Sequence, residues 1–220
     1  MASDVAPDDM IVPLCLDEYE KLDGAVAAGW GGRSLDMLRH VQQHRDGVTL
    51  LFTGVRPFAD AGPEWTGRFI NARQIRVGRL SRDEVTPLLT EPIPDFGMTY
   101  APGALDAALD ETQGQPYLTQ AVAFELVQHM NEERRTEATP DDVEAAVVQG
   151  LESGDPYFAN VWSDAGSDGQ SILRARLADE PLPDHPEAMR WLVENDVLHA
   201  DAAFVVPMAE RWMRERARRA

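Results

Sequence analysis

The sequence predicts an α/β segment followed by a helical remainder, an α/β plus α class, and three observations predict it. Two apolar runs of the kind a parallel sheet buries, Met10 to Leu16 and Val48 to Thr53, are joined by a helical stretch and not by a tight hairpin. From Ser81 onward, Ser81 with Glu84 and Thr139 with Asp142 each fit an N-terminal capping box, the signature of a helix start. Beyond residue 150 two short helical segments, an apolar ribbon and a last helix follow one another. The expected domains are therefore a partial α/β half over residues 1–80, a small helical bundle over 81–150 and a third module over 151–220.

Taken in order, residues 1–9 are small and acidic and read as a short leader. Met10 to Leu16 is continuous enough in Ile, Val, Leu and Cys for a strand buried on both faces, which makes Cys15 an expected buried thiol. Glycines at 24, 29, 31 and 32 break regular structure; a helix then starts at Ser34, carries Leu35, Leu38 and Val41 at helical spacing and ends at Asp46-Gly47. Val48 to Thr53 is the second strand, closed by Gly54, and Gln74 to Val77 is a short third.

In the helical part, Pro102 to Thr112 and Pro116 to Glu132 each carry one apolar stripe, the first with Leu105 and Leu109, the second with Leu118, Val122 and Leu126. Pro140 takes the favoured first helical position. Pro87 falls inside the segment that begins at Ser81 and predicts a short or kinked helix, because proline removes one backbone bond. A Gly/Asp/Ser-rich stretch, Asp164 to Gly169, reads as a break after the aromatic residues Tyr157, Phe158 and Trp162. Ile172 to Ala178 and Pro186 to Asn195 then read as helices, Val197 to Val206 as a two-stranded ribbon and Pro207 to Arg219 as a helix. Helix, helix, ribbon is winged-helix order.

Composition limits what such a chain can do. The 220 residues are 44% hydrophobic, with five Trp and seven Phe, ample for a buried core. A net charge of −18 and a pI near 4.5 disfavour a main task of gripping nucleic acid or anionic lipid, since both need a basic face. Residues 151–220 hold 13 acids against eight Arg, so the winged-helix-like module is a poor groove reader. All basic residues but Lys21 are Arg, as in a GC-rich or salt-adapted genome. The single Cys15 allows no internal disulfide, and neither a signal peptide nor a run of about 18 apolar residues is present. A reducing, cytoplasmic location without membrane spanning is the resulting expectation.

The chemistry concentrates at the end of the first strand. Asp17 and Glu18 follow its apolar run directly, and ligands of parallel sheets bind at the carboxyl ends of their strands. In nucleotide hydrolysis one such acid holds the magnesium ion and its neighbour positions or deprotonates the attacking water. A phosphate-cradling Gly-Lys-Ser/Thr loop is absent, since the sole lysine, Lys21, lies downstream of the strand. Asp36, His40 and His44 fall four apart on one helix, a spacing that could present metal ligands, but with no further partner pointed to by the sequence they read as a solvated helix face.

Four segments occur in a telling order: Leu16 to Leu22, with Asp17-Glu18; Leu38 to Arg45; the strand ending Phe52-Thr53-Gly54; and Gly114-Gln115-Pro116-Tyr117-Leu118-Thr119-Gln120. Together they resemble the STAND class of AAA+-like P-loop ATPases, in particular the AAA-like ATP-binding proteins. The resemblance covers about residues 10–150 and extends more weakly over the winged-helix region. It implies a partial P-loop NTPase sheet that begins at Walker B and lacks Walker A, a helical lid and a winged-helix module.

By that resemblance Asp17 is the Walker B acid that coordinates magnesium, and Glu18 is its catalytic or water-positioning neighbour. Thr53 and Gly54 stand at the sensor 1 strand end near the γ-phosphate; relatives place an arginine close by, whereas here Arg56 follows two residues on. Gly114 and Pro116 match the Gly-x-Pro element that ties the lid to the adenine base, although the isolated tripeptide also reads as a helix junction. The implied function is a regulatory switch in signal transduction that binds ATP or ADP with Mg2+. It would pass its state through the winged helix to an effector or sensor domain outside this chain. Without the P-loop half the chain alone is expected to be inactive as an ATPase. Its open sheet edge would invite self-association. A non-enzymatic interaction module that has lost nucleotide binding is the alternative, and a winged-helix DNA-binding regulator ranks third.

Overall fold

A computed structural model describes residues 11–55 and 61–219. It is mostly helical and divides at Arg76/Val77 into two compact units.

The first unit holds the predicted strands, β1 (Val12–Leu16) and β2 (Val48–Phe52), paired in parallel with Leu14 opposite Leu50 and Leu16 opposite Phe52. A 3-10 turn (Tyr19–Lys21), α1 (Leu22–Ala27) and α2 (Gly31–His44) connect them, and α3 (Pro63–Phe69) follows. Because side chains alternate along a strand, Leu16, Leu50 and Phe52 share one face of the sheet. They pack on Tyr19, on Leu35 and Leu38 of α2, and on Trp65 and Phe69 of α3. Trp65 is fully buried among rings, edge-on to Tyr19 and Phe52, and its indole N–H donates to Asp23 Oδ1 at 2.8 Å.

The opposite face departs from expectation. Pro13, Cys15, Thr49 and Leu51 are exposed, so β1 is not buried on both faces and Cys15 is not an interior thiol. The described residues that cover the sheet all meet its Leu16/Phe52 side, which leaves the alternate positions exposed. Gln74 to Val77 is not a third strand either: it forms no ladder, and Val77 is 92% exposed. An apolar run becomes a strand only where a neighbour takes its backbone bonds, and none of the described residues offers one here.

The second unit has one continuous core, shared by the segments expected as lid and as winged helix. Its elements are α4 (Arg82–Thr90), β3 (Thr99–Tyr100), α5 (Ala104–Thr112), α6 (Pro116–Glu133), β4 (Glu137–Ala138), α7 (Pro140–Ser153), α8 (Asp155–Asp164), α9 (Gly166–Leu177), α10 (Pro186–Glu194) and α11 (Pro207–Arg219). Both capping boxes close as read, on Ser81 for α4 and Thr139 for α7. Pro87 sits inside the nine-residue α4, which is short. The pairing of β3 with β4, parallel and two residues long, escaped the sequence reading; Tyr100 Oη donates from it to Leu89 O at 3.1 Å and anchors the end of α4.

Two further expectations are corrected. The break expected over Asp164 to Gly169 narrows to Ala165 and the positive-φ Gly166, where α8 ends and α9 begins at once. Gly169 serves packing instead: a Cβ there would stand 3.0 Å from Ala165 Cβ and 3.9 Å from Leu192. The Val197 to Val206 ribbon contracts to a single antiparallel bridge between Leu198 and Phe204, with His199 N–H donating to Ala203 O at 2.7 Å. Both bridge residues are buried in the helical core, so helices and not further strands satisfy this hairpin.

Candidate functional site

The parallel register sets the geometry at the end of the sheet. With Leu16 opposite Phe52, the next residues, Asp17 and Thr53, emerge side by side at the carboxyl ends of both strands. Thr53 Oγ1 donates to Asp17 Oδ1 at 2.5 Å, and the Glu18 backbone N–H donates to the same oxygen at 3.0 Å. The ladder runs on past the strands, with Thr53 N–H donating to Leu16 O at 2.9 Å and Tyr19 N–H to Thr53 O at 3.1 Å. The Thr53 hydroxyl, assisted by the Glu18 amide, holds the Asp17 carboxyl below its ordinary value of 3.8, so the group is an anion at neutral pH. Neither bond uses Oδ2.

Glu18 points elsewhere. Its backbone is left-handed, φ 50° and ψ 49°, a conformation few non-glycine residues adopt, and its carboxylate pairs with Lys21. The second acid of the predicted pair is thus held by the chain's only lysine and not beside Asp17. Glu20, which the sequence reading passed over, reaches across the strand ends instead: its Oε1 accepts from Val55 N–H at 3.2 Å. Its Oε2 is buried and has no hydrogen-bond partner. Gly54 is required by this approach, because a Cβ would fall 2.1 Å from Glu20 Oε2 and 2.8 Å from Tyr19 Cδ1. The signal for Glu20 was its spacing, two residues past Glu18. Arg56 lies outside the described residues.

Gly114 and Pro116 belong to the second unit. Gln113 and Gly114 both have positive φ and end α5, and Pro116 opens α6 behind the Gln115 cap, whose side chain accepts from Leu118 N–H at 2.9 Å. The Leu80 N–H donates to Gly114 O at 2.8 Å, and Leu80 O lies 1.9 Å from where a Cβ on residue 114 would stand. Glycine is therefore demanded by close backbone approach as well as by φ. This geometry fits a helix junction, and the segment just before α4 is stapled to it.

Of the groups a nucleotide would need, the donor set offers Mg2+ one carboxylate, Asp17. That suits a cation held mainly through phosphates and water. The phosphate cradle itself is not in this sequence. Asp36 is engaged by Arg68 Nε at 2.7 Å while His40 and His44 stack on each other with centroids 4.4 Å apart. Among the described residues no three His, Cys, Asp or Glu gather as metal ligands, and no helix is long and apolar enough to cross a membrane. A separate cleft of about 390 Å³, lined by Ile172, Leu182, His185, Met189 and Asp201, includes none of the predicted site residues. In comparisons with known proteins the chain matches no family model, no curated protein and no solved structure.

Proposed function

We propose that this chain forms part of a STAND-type, AAA+-like regulatory switch that binds ATP or ADP with Mg2+. In this reading Asp17 and Thr53 sit at the Walker B and sensor 1 ends of a partial P-loop sheet. Residues 81–150 act as the lid, and 151–220 as a winged-helix module that relays nucleotide state to an effector or sensor domain outside the chain. One observation carries the reading: the 2.5 Å bond from Thr53 to Asp17, made at the adjoining carboxyl ends of two parallel strands. Asp17 would hold the magnesium ion through its oxygens, with Thr53 and the Glu18 amide fixing its orientation. Glu18 would act on water only after release from Lys21.

The test has two arms. The chain by itself should hydrolyse no ATP and bind Mg-ATP no tighter than the micromolar range in calorimetry. Joined to an upstream strand and Gly-x-x-x-x-Gly-Lys-Ser/Thr loop encoded in frame with it, it should bind and turn over ATP. In that protein Glu18→Gln should slow turnover and leave binding largely intact, and Asp17→Asn should weaken Mg-dependent binding. Turnover indifferent to both substitutions would overturn the proposal. The alternative of a non-enzymatic interaction module is favoured by the bare Pro13/Cys15/Leu51 side of the sheet, a surface that suits a covering partner.

A further inference from the structure

We propose that the cleft formed by α9, α10, the 178–185 segment between them and the Leu198 to Phe204 hairpin docks a basic segment of a partner protein, whether or not the chain switches on a nucleotide. Its volume of about 390 Å³ falls in the range of specific binding sites. Ile172 of α9 and Ala202 of the hairpin are buried beneath it, and Met189 of α10 is half-buried. Leu182, 42% exposed, and the exposed carboxylates of Asp184 and Asp201 stand around its mouth. The walls are already fixed. Pro181, Pro183 and Pro186 restrict the backbone on one side, where His185 N–H closes a turn on Pro183 O at 3.0 Å. In the hairpin, Asp201 Oδ1 accepts from Ala203 N–H at 3.1 Å and Arg176 Nε donates to Ala202 O at 3.0 Å. A site ordered in advance spends less of its binding energy on ordering.

Charge selects the occupant. No Lys or Arg lines the cleft, and residues 178–187 hold four acids, Asp179, Glu180, Asp184 and Glu187, with neither Lys nor Arg. Arg176, near the end of α9, is engaged by Asp179 at 3.0 Å as well as by Ala202 O, and His185 Nδ1 lies 3.6 Å from Asp168 Oδ2. Among the described residues no Lys or Arg pairs with Asp184 or Asp201. A bare metal ion does not suit the cleft, because no three His, Cys, Asp or Glu gather as ligands among the described residues. An Arg or Lys side chain does: its methylene stem covers Ile172, Leu182 and Met189 while its charged tip meets the carboxylates. Glu180 and Glu187, beyond the lining, carry the negative field past the reach of one side chain, which favours a segment with several basic residues over a lone amine. The same field repels nucleic acid.

The test is an NMR titration of the full, isotope-labelled chain with a capped tetrapeptide that alternates leucine and arginine. The amides of Leu182, Met189 and Ala202 should shift saturably and with lower affinity as salt rises, and a peptide with glutamate in place of arginine should leave them unmoved. Asp184→Asn combined with Asp201→Asn should weaken binding about fivefold, since exposed charge pairs are individually weak. An amide oxygen at position 201 can still accept from Ala203 N–H, so thermal melting of this variant should match the parent. Should melting fall, Leu182→Ser at an exposed position decides, because the lost apolar contact should weaken the peptide as well. Equal affinity in the parent and the well-folded variant overturns the proposal, and so does equal binding of the glutamate peptide. No saturable shift, or shifts spread over acidic surface outside the cleft, overturns it too. Duplex DNA that moved the same amides would make the cleft a nucleic-acid surface and sink the assignment to a basic protein segment.

Discussion

Thr53 and Asp17 form a pair because a parallel register places the residue after each strand at the same height, and one hydroxyl then fixes one carboxylate. Removing that hydroxyl with Thr53→Val should raise the pH at which Asp17 titrates toward the ordinary value of 3.8. Carboxyl carbon shifts followed through an acid titration would show it, and an unmoved midpoint would mean that the Glu18 amide alone suffices. Gly54 admits no such tolerance. Gly54→Ala would drive a methyl into the Tyr19 ring, which is buried against Trp65, and should cost about 1–3 kcal/mol of stability by the usual toll of overpacking, measured by urea denaturation. The Glu18–Lys21 pair is exposed on both sides and contributes little to stability. Its consequence is positional: it keeps Glu18 away from Asp17.

At the scale of elements, the helices start where side chains supply the missing backbone partners. Ser81→Ala should destabilise α4 and its unit by about 1 kcal/mol, read from the denaturation midpoint. The cap of α7 is stronger, because Asp142 serves several donors: Thr139 N–H at 2.8 Å, Thr139 Oγ1 at 2.7 Å, the Arg135 guanidinium, and His129 Nε2 at 2.9 Å when that nitrogen carries a proton. Arg135 foremost, then the Thr139 bonds, holds this carboxyl far below 3.8. A depressed folded pKa stabilises above the unfolded pKa and loses its contribution as pH falls. The stability gap between the parent and Asp142→Asn should therefore be full at pH 7, about 2 kcal/mol or more, and shrink as the pH drops below about 4. Melting curves across that range would reveal it, and a gap constant with pH would refute the assignment.

Over the whole molecule, charge and burial are unevenly shared. Residues 77–220 carry 27 acids against 12 arginines, a net of −15, whereas residues 1–76 carry −3. The second unit accordingly offers DNA a repulsive field, and residues 151–220 should give no sequence-specific submicromolar shift with duplex DNA at physiological salt. The first unit has a two-stranded sheet with one bare face, and Val12, Leu14 and Leu51 are each more than two-fifths exposed. Its amides should open far more readily than those in the middle of α6, where Leu118, Val122 and Leu126 are buried. Hydrogen exchange on the monomer checks this. Equal protection of β1 and α6 would show that the small sheet is self-sufficient, and protection that grows with concentration would reveal pairing through the open edge.

The chain alone determined what depends on neighbours in sequence. Capping boxes, the Pro116 and Pro140 helix starts, the stripes of α5 and α6, and the parallel partnership of two strands joined by a helix were legible because each rests on spacing within a few residues or on the length of a connection. The acids at the end of β1 were legible for the same reason. Burial was not, since it depends on what lies across from a residue: Ile11 to Leu16 is apolar on both alternations, yet among the described residues only one face found helices to meet it. The same limit explains Gln74 to Val77, a strand in composition without a ladder, and the ribbon reduced to one bridge. Gly169 and Gly114 read as breaks or turns, and only the fold disclosed the Ala165 methyl and the Leu80 carbonyl that crowd their Cβ positions. Tertiary structure likewise decided which acid reaches across to the chain just past β2. Adjacency in sequence favoured Glu18, but a left-handed residue turned it toward Lys21 and brought Glu20, two positions on, across the strand end.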